Sequence, residues 1–392
     1  MEYHRLIREL FFSIINNHDT DLNQKIKHLD RPDWDRLVSF VDTSGLLPIF
    51  YHQISKLNLA AELGSRFKAK YYRHLKRNLI LEQEAWRILE QFRQTDILTV
   101  PLKGPVLARL LYNDAGLRQS PCDLDFLIRP QIMERAEKAL KNMGYALLEE
   151  DSSSLLRFVK LKYGRQLHFA KTSKELGKVN IDLHCDLRGF FSDTFLEYFW
   201  QDVREVDIGG HLVHLPTEES LLLYLSLISI STFDFIELRY IYDIHQLIAQ
   251  FKTRLNWEAV LEKAVRLRLE AYLWFALKLS KGFFNSEIPG EFLNKLKPPF
   301  IKRKILSFWI KDDNILLRRE KVAASYIWRY LISNCLVTQD LAQILSSIGK
   351  KIFLPMAEVE VLYGRPAKKS SYSLYLKRLL KPIYKILHIK LL

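Results

Sequence analysis

Asp123 and Asp125 lie one residue apart inside the apolar run Leu124, Phe126, Leu127, Ile128. A strand has a side-chain period of two, so both carboxylates project from one face while Leu124, Phe126 and Ile128 take the other. Crowding two carboxylates is costly unless a cation neutralises them, and hard oxygen ligands of this kind suit Mg²⁺ or Mn²⁺. Asp182 sits in a similar setting, flanked by Ile181 and Leu183, with Asn180, His184 and Asp186 in its alternation class. Three carboxylates on adjacent strands could hold two divalent ions ~3.5–4 Å apart, the arrangement for in-line phosphoryl or nucleotidyl displacement. Asp-x-Asp alone also describes a strand ending in two solvated acids. The weight comes from Leu102-Lys103-Gly104 upstream, where a strand runs into glycine and then a helix. Backbone N–H groups at such a helix start can hold phosphate, and Lys103 adds a point charge for the same triphosphate.

Other polar residues have two accounts each. Arg118, with Ser120 nearby, either bridges to the triphosphate or pins its own loop. His184 and His168 are either acceptor-site residues or hydrogen-bonded structural histidines. Asp186 competes with Asp182 as the third acid but lies nearer the strand end. Arg239 and Asp243 are spaced i, i+4, which predicts a structural ion pair on one helix face. No Walker A loop and no G-x-G-x-x-G is present, so P-loop and Rossmann chemistry have no footing.

The elements that position these residues follow from periodicity. Apolar residues recur at i, i+3, i+4 over 5–15, 34–41, 46–54 and 62–93, which predicts an all-helical start. Strands are then predicted over 97–102, 123–128, 145–148, 155–161, 166–170 and 180–187, with short helices after Gly104 and from Pro130 to Asn142. Val203 to Leu215 reads as a hairpin turning at Gly209-Gly210. From Pro216 to about Gly349 helical spacing returns, with Thr217 and Ser220 marking a start and further helices over 255–267, 271–279 and 322–331.

The chain of 392 residues has 14 glycines and 13 prolines, about 7% against a usual ~12%, which speaks against a turn-rich sandwich or barrel. Three dispersed cysteines, Cys122, Cys185 and Cys335, form neither a disulfide framework nor a thiolate zinc site, and a cytoplasmic setting is expected. The N-terminal residues form an amphipathic helix rather than a signal peptide, and no apolar stretch approaches the ~20 residues needed to span a bilayer. The net charge is +14, and no acid follows Glu360, while eight lysines and arginines do. Within Leu374–Leu392, Lys377, Lys381, Lys385 and His388 recur at helical spacing among leucines and isoleucines. Such a tail either packs its leucines on the body or lies peripherally on an anionic membrane; nucleic acid is the least favoured partner.

Taken in order, Leu102-Lys103-Gly104, Leu117-Arg118, Asp123-Leu124-Asp125-Phe126-Leu127-Ile128, Gly144-Tyr145, His168, Ile181-Asp182-Leu183-His184 and Leu238-Arg239-Tyr240-Ile241-Tyr242-Asp243-Ile244 resemble a bacterial family of uncharacterised nucleotidyltransferases. That family falls within the superfamily with the DNA polymerase β-type core. The resemblance implies an α+β fold: a small mixed-sheet nucleotidyltransferase core flanked by N- and C-terminal helical regions. The expected division is 1–97 helical, 98–215 α/β core, 216–350 helical and 351–392 basic tail. It implies Mg²⁺- or Mn²⁺-dependent transfer of a nucleoside monophosphate from an NTP such as ATP to a hydroxyl or phosphate acceptor. Asp123 and Asp125 would bind both metals and Asp182 the metal that activates the acceptor, with Lys103, Gly104, Arg118 and Ser120 toward the nucleotide. Lys103-Gly104 stands where the superfamily usually has Gly-Ser, Cys185 replaces an aromatic residue, and Leu221–Ser231 lacks histidines found in relatives. The rival readings are a catalytically silent nucleotide-binding or membrane-surface adaptor and a metal-dependent glycosyltransferase, the latter disfavoured by the helical start.

Overall fold

A computed structural model describes residues 2–16, 31–56, 61–119, 121–148, 166–174, 177–187, 193–231, 238–300 and 303–304. Among the described residues, the helices that come first are α1 (Glu2–Asn16), α2 (Arg31–Ser44), α3 (Leu47–Lys56) and the long α4 (Ala61–Gln94). The sheet region follows: β1 (Thr99–Pro101), α5 (Gly104–Tyr112), β2 (Asp123–Ile128), α6 (Met133–Asn142), β3 (Ala146–Leu147), β4 (Gln166–Ser173) and β5 (Gly177–His184). Next come α7 (Asp193–Gln201), the hairpin β6 (Val203–Ile208) and β7 (His211–Pro216), and helices α8 (Glu218–Ser231), α9 (Leu238–Gln250), α10 (Trp257–Arg266), α11 (Glu270–Phe284) and α12 (Gly290–Lys295).

The five-stranded sheet has the order β1-β2-β5-β4-β3, with β2 and β5 parallel and every other pair antiparallel. It is a mixed sheet in a mostly helical chain. Its apolar face carries Leu124, Phe126 and Ile128 from β2, Val179, Ile181 and Leu183 from β5, and Leu167 and Phe169 from β4. That face packs against α4 through Leu81, Ala85, Ile88, Leu89 and Phe92, which recur at the helical period, and against Met133, Ala136, Ala139 and Leu140 of α6. Gly144, at φ 85°, ends α6: its N–H donates to Lys141 C=O and the Tyr145 N–H to Leu140 C=O, a Schellman closure. The hairpin turns on Gly209 and Gly210, both at positive φ, as a two-residue loop with that twist requires.

A second, larger core unites the helices on both sides of the sheet. Phe12 of α1 stacks on Phe283 of α11 with ring centroids 5.0 Å apart, and the Asn16 amide donates to Phe283 C=O at 2.8 Å. Val100, Leu102 and Leu127 carry this core onto the sheet. The helices before and after the sheet are therefore continuous with each other, a contact between segments some 270 residues apart that no local periodicity announces. Two further differences from the sequence reading are local. β5 starts at Gly177 and ends at His184, which leaves Asp186 beyond the strand, and the stretch Asp193–Gln201 is helical because Phe195, Phe199 and Trp200 bury one side of it. Among the described residues no helix is long and apolar enough to cross a membrane. The strand expected over 155–161, the helix over 322–331, Ser120 and the basic tail lie outside the described residues.

Candidate active site

The parallel pairing of β2 with β5 sets Asp123 level with Asn180, Asp125 with Asp182 and Leu127 with His184. Antiparallel pairing of β4 then sets His168 level with Asp182 and Gln166 with His184. Because the pleat alternates, Asp123, Asp125, Asn180, Asp182, His184, His168 and Gln166 share the face opposite the α4–α6 core. Three carboxylates are thereby brought onto one sheet face, as the sequence pattern predicts.

The carboxylates are held by nitrogen donors. Lys103 Nζ donates to Asp125 Oδ1 at 2.9 Å, and His184 Nε2 lies 2.9 Å from the same oxygen, with the Asp125 and His184 side chains only 4% and 6% exposed. His168 Nδ1 lies 2.7 Å from Asp182 Oδ1, and its Nε2 lies 3.1 Å from the Gln166 amide nitrogen. The Gln166 amide is a donor there, so His168 Nε2 accepts and Nδ1–H donates to Asp182, which fixes the tautomer. Both histidines are thus partners of carboxylates on the site face.

The two neighbouring aspartates titrate in opposite directions. Asp123 is pushed above the ordinary carboxylate range by burial first, and then by the charges of Asp125 and Asp182. Burial also opposes ionisation of Asp125, but Lys103 and the His184 hydrogen bond outweigh it and hold that carboxyl well below the usual range. A raised folded-state value means that charged Asp123 disfavours folding above the unfolded pKa, and that this cost vanishes below it. Asp123→Asn is therefore expected to raise the melting temperature of the metal-free protein at pH 7. The gain should disappear as the pH falls through the carboxylate range, and Mg²⁺ should stabilise the wild type more than the variant; thermal melts at several pH values, with and without Mg²⁺, measure all three effects.

The donor set fits a divalent cation. One ligand atom each from Asp125, Asp182 and His184 lie within 4.8 Å of one another. Asn180 Oδ1, on the same face and level with Asp123, is buried with no hydrogen-bond partner among the described residues. A buried carbonyl oxygen left unpaired beside carboxylates suits a cation or a water of its shell, since it can only accept. Asn180 and Gln166 carry no motif of their own; the signal that could have found them is their place in the alternation classes of Asp182 and His168.

Lys103 sits at the N-cap position of α5, and Gly104 follows at φ 74° with Pro105 next. The space around Gly104 would admit a methyl group, with Pro121 Cγ 3.6 Å away, so it is the left-handed backbone that calls for glycine here. The turn aims the lysine at Asp125, and the backbone N–H groups of α5's first turn open beside it.

Arg118 is bonded to a buried carboxylate within the protein. Its Nε and Nη2 donate to both carboxylate oxygens of Asp243 at 2.9–3.1 Å, with side chains 3% and 0% exposed. Tyr112 Oη donates to Asp243 Oδ1 at 2.7 Å, and burial, then the Asp243 charge, keeps that phenol protonated by pushing its pKa well up. The Asn78 amide reaches Ala115 C=O and Arg118 C=O at 2.7 and 2.6 Å. Asp243 therefore bonds across to Arg118, 125 residues away, instead of to Arg239 one turn back. Asp186 is bonded to the Leu187 N–H beyond the strand end, away from the level of the other acids.

A family model described as "Uncharacterised nucleotidyltransferase" matches residues 30–285, about two-thirds of the chain, from the start of α2 to the end of α11. No curated protein matches the sequence, and no solved structure does. The matched span holds every site residue described above, and the chain belongs to the uncharacterised nucleotidyltransferase family.

Proposed function

We propose that this protein is a divalent-metal-dependent nucleotidyltransferase that moves a nucleoside monophosphate from an NTP to a hydroxyl or phosphate acceptor. The mixed sheet is read as the polymerase β-type core. The observation that carries the reading is the level pairing of Asp125 with Asp182, with Asp123 on the same face and the Lys103-Gly104 helix start beside them, inside a chain of this family. The acceptor oxygen attacks the α-phosphorus in line; a P–O bond forms to the acceptor, the bond to the bridging oxygen breaks, and pyrophosphate leaves. A bound Mg²⁺ or Mn²⁺ supplies charge stabilisation for the entering and leaving oxygens.

The residues do the rest. Asp182 receives the acceptor proton or aligns the acceptor hydroxyl, and His168, fixed by Gln166, orients the Asp182 carboxylate. His184, two residues from Asp182 on β5, does the same for Asp125. Lys103 and the first N–H groups of α5 face the triphosphate.

The test uses purified protein, Mg²⁺, a cell lysate as acceptor source, and each of ATP, CTP, GTP and UTP labelled at the α or the γ phosphate. Transfer of α label alone is expected, with pyrophosphate released and the tagged acceptor recoverable. Transfer of γ label would make the protein a phosphotransferase and overturn the reading; transfer of neither would remove its support.

A further inference from the structure

Asp125 has a cation position on each side. The strand order β1-β2-β5 sets β1 and β5 on opposite flanks of β2. From the β1 flank comes Lys103, its Nζ 2.9 Å from Asp125 Oδ1 and its side chain 11% exposed. From the β5 flank come Asp182, level with Asp125, and His184, whose donor atoms lie within 4.8 Å of one another and of Asp125. A site with two divalent ions needs two cation positions about 3.5–4 Å apart. Here one side of Asp125 is filled by an ammonium that belongs to the chain.

We propose that Lys103 permanently holds one of the two cation positions, so that the site takes a single divalent ion, on the β5 flank between Asp125 and Asp182, with His184 keeping its bond to Asp125. The inference rests on the nucleotidyltransferase reading above and concerns how that site is charged. Three considerations support it. An ammonium and a divalent ion cannot occupy the same oxygen's near side, because both are cations and the buried setting weakens screening between them. The charges of Asp123, Asp125 and Asp182 are balanced by one lysine and one divalent ion before any nucleotide arrives, whereas two divalent ions beside Lys103 would leave the site positive. The lysine is also fixed by its backbone: it stands at the N-cap position of α5 between Leu102, whose N–H donates to Asp125 C=O, and the left-handed Gly104. On the β1 flank, next to the α5 N-terminus, the ammonium would offer its charge to a bound triphosphate.

Mn²⁺ reports the count without turnover. The full chain is equilibrated with Mn²⁺ by dialysis, and its electron paramagnetic resonance spectrum is recorded before and after one equivalent of an α,β-methylene nucleoside triphosphate. Wild type is expected to retain one Mn²⁺ per chain and to show only uncoupled six-line signals in both conditions. Lys103→Met should gain a second ion and exchange-coupled lines once the analogue is present, and Lys103→Arg, which keeps the charge, should not. Coupled lines in wild type would overturn the single-ion proposal while leaving the nucleotidyltransferase reading standing. An uncoupled single ion in Lys103→Met would likewise overturn it, since the lysine would then hold no ion's place. No retained Mn²⁺ in wild type would overturn both this proposal and the metal-dependent reading. Should Lys103→Met fail to fold, the wild-type spectrum with the analogue decides the question alone.

Discussion

Asp125→Asn is expected to lower the rate of nucleotidyl transfer by about 10³-fold or more while leaving a folded protein. The carboxylate stands at the centre of the site: it is level with Asp182, receives both Lys103 and His184, and is 4% exposed. Removing its charge removes the ligand that every reading of the site shares, and the loss of one preorganised charge-stabilising group in a dry site costs about 10²–10³ by itself. Asparagine keeps an oxygen acceptor of the same shape, so the contacts to Lys103 and His184 persist as neutral-acceptor hydrogen bonds. The fold should therefore survive, though less stable. Asp125's folded-state pKa is depressed, so its contribution to stability is present above the unfolded carboxylate pKa and is lost as the pH falls through the folded value. The stability gap between wild type and Asp125→Asn should then be open at pH 7 and close in acid. That is opposite in sign to Asp123→Asn, two residues away on the same face. Single-turnover assays with α-labelled NTP, far-UV circular dichroism and melts across pH separate these effects; near-wild-type turnover in Asp125→Asn would sink the active-site assignment.

This contrast shows which parts of the site could be read in advance. Asp123, Asp125 and Asp182 stand out because a period-two alternation of apolar and acidic residues has only one simple solution, a strand with one buried face. The same rule places His168, His184, Asn180 and Gln166 on that face, but it says nothing of which nitrogen meets which oxygen. Lys103 illustrates the gap. Its position before Gly104 marks a helix start, yet its contact with Asp125 depends on β1 lying antiparallel to β2 and on the positive φ of Gly104, and neither has a sequence period. Helices were legible for the same reason as strands, and the hairpin because two adjacent glycines permit its turn. The joining of α1 to α11 was not, since the contact of Phe12 with Phe283 is set by the closure of the whole chain. Asp243 fails in the same way. The i, i+4 rule offers Arg239, worth ~0.2–0.5 kcal/mol on a helix surface, but the side chain is fully buried. There a bidentate partner with no exposure is worth more than a neighbour on the same helix.

Arg118→Met should therefore be the most destabilising of the substitutions considered, at about 3–5 kcal/mol, because it leaves the Asp243 carboxylate buried without its cation. For a chain of this size that corresponds to a fall in melting temperature of roughly 4–6 °C. Tyr112 continues to donate to Asp243, which satisfies one oxygen but not the charge. The companion variant, Arg118→Met with Asp243→Leu, removes both charges and should recover most of the loss, since replacing a buried pair by apolar groups of similar size is often neutral or better. Thermal unfolding of the wild type, both singles and the double completes the cycle and gives the coupling between the two residues. The same four proteins decide between the two roles the sequence allows Arg118. The residue closes the segment that runs from α5 into β2, so its structural role predicts that activity follows stability, falling in the single variant and returning in the double. A guanidinium that bound the triphosphate directly would leave a different trace: the double variant would melt like wild type yet show a KM for NTP raised about tenfold or more, the cost of one lost charged hydrogen bond. Full recovery of KM in the double variant is the expected result, because both donor edges of Arg118 that the structure engages are already spent on Asp243.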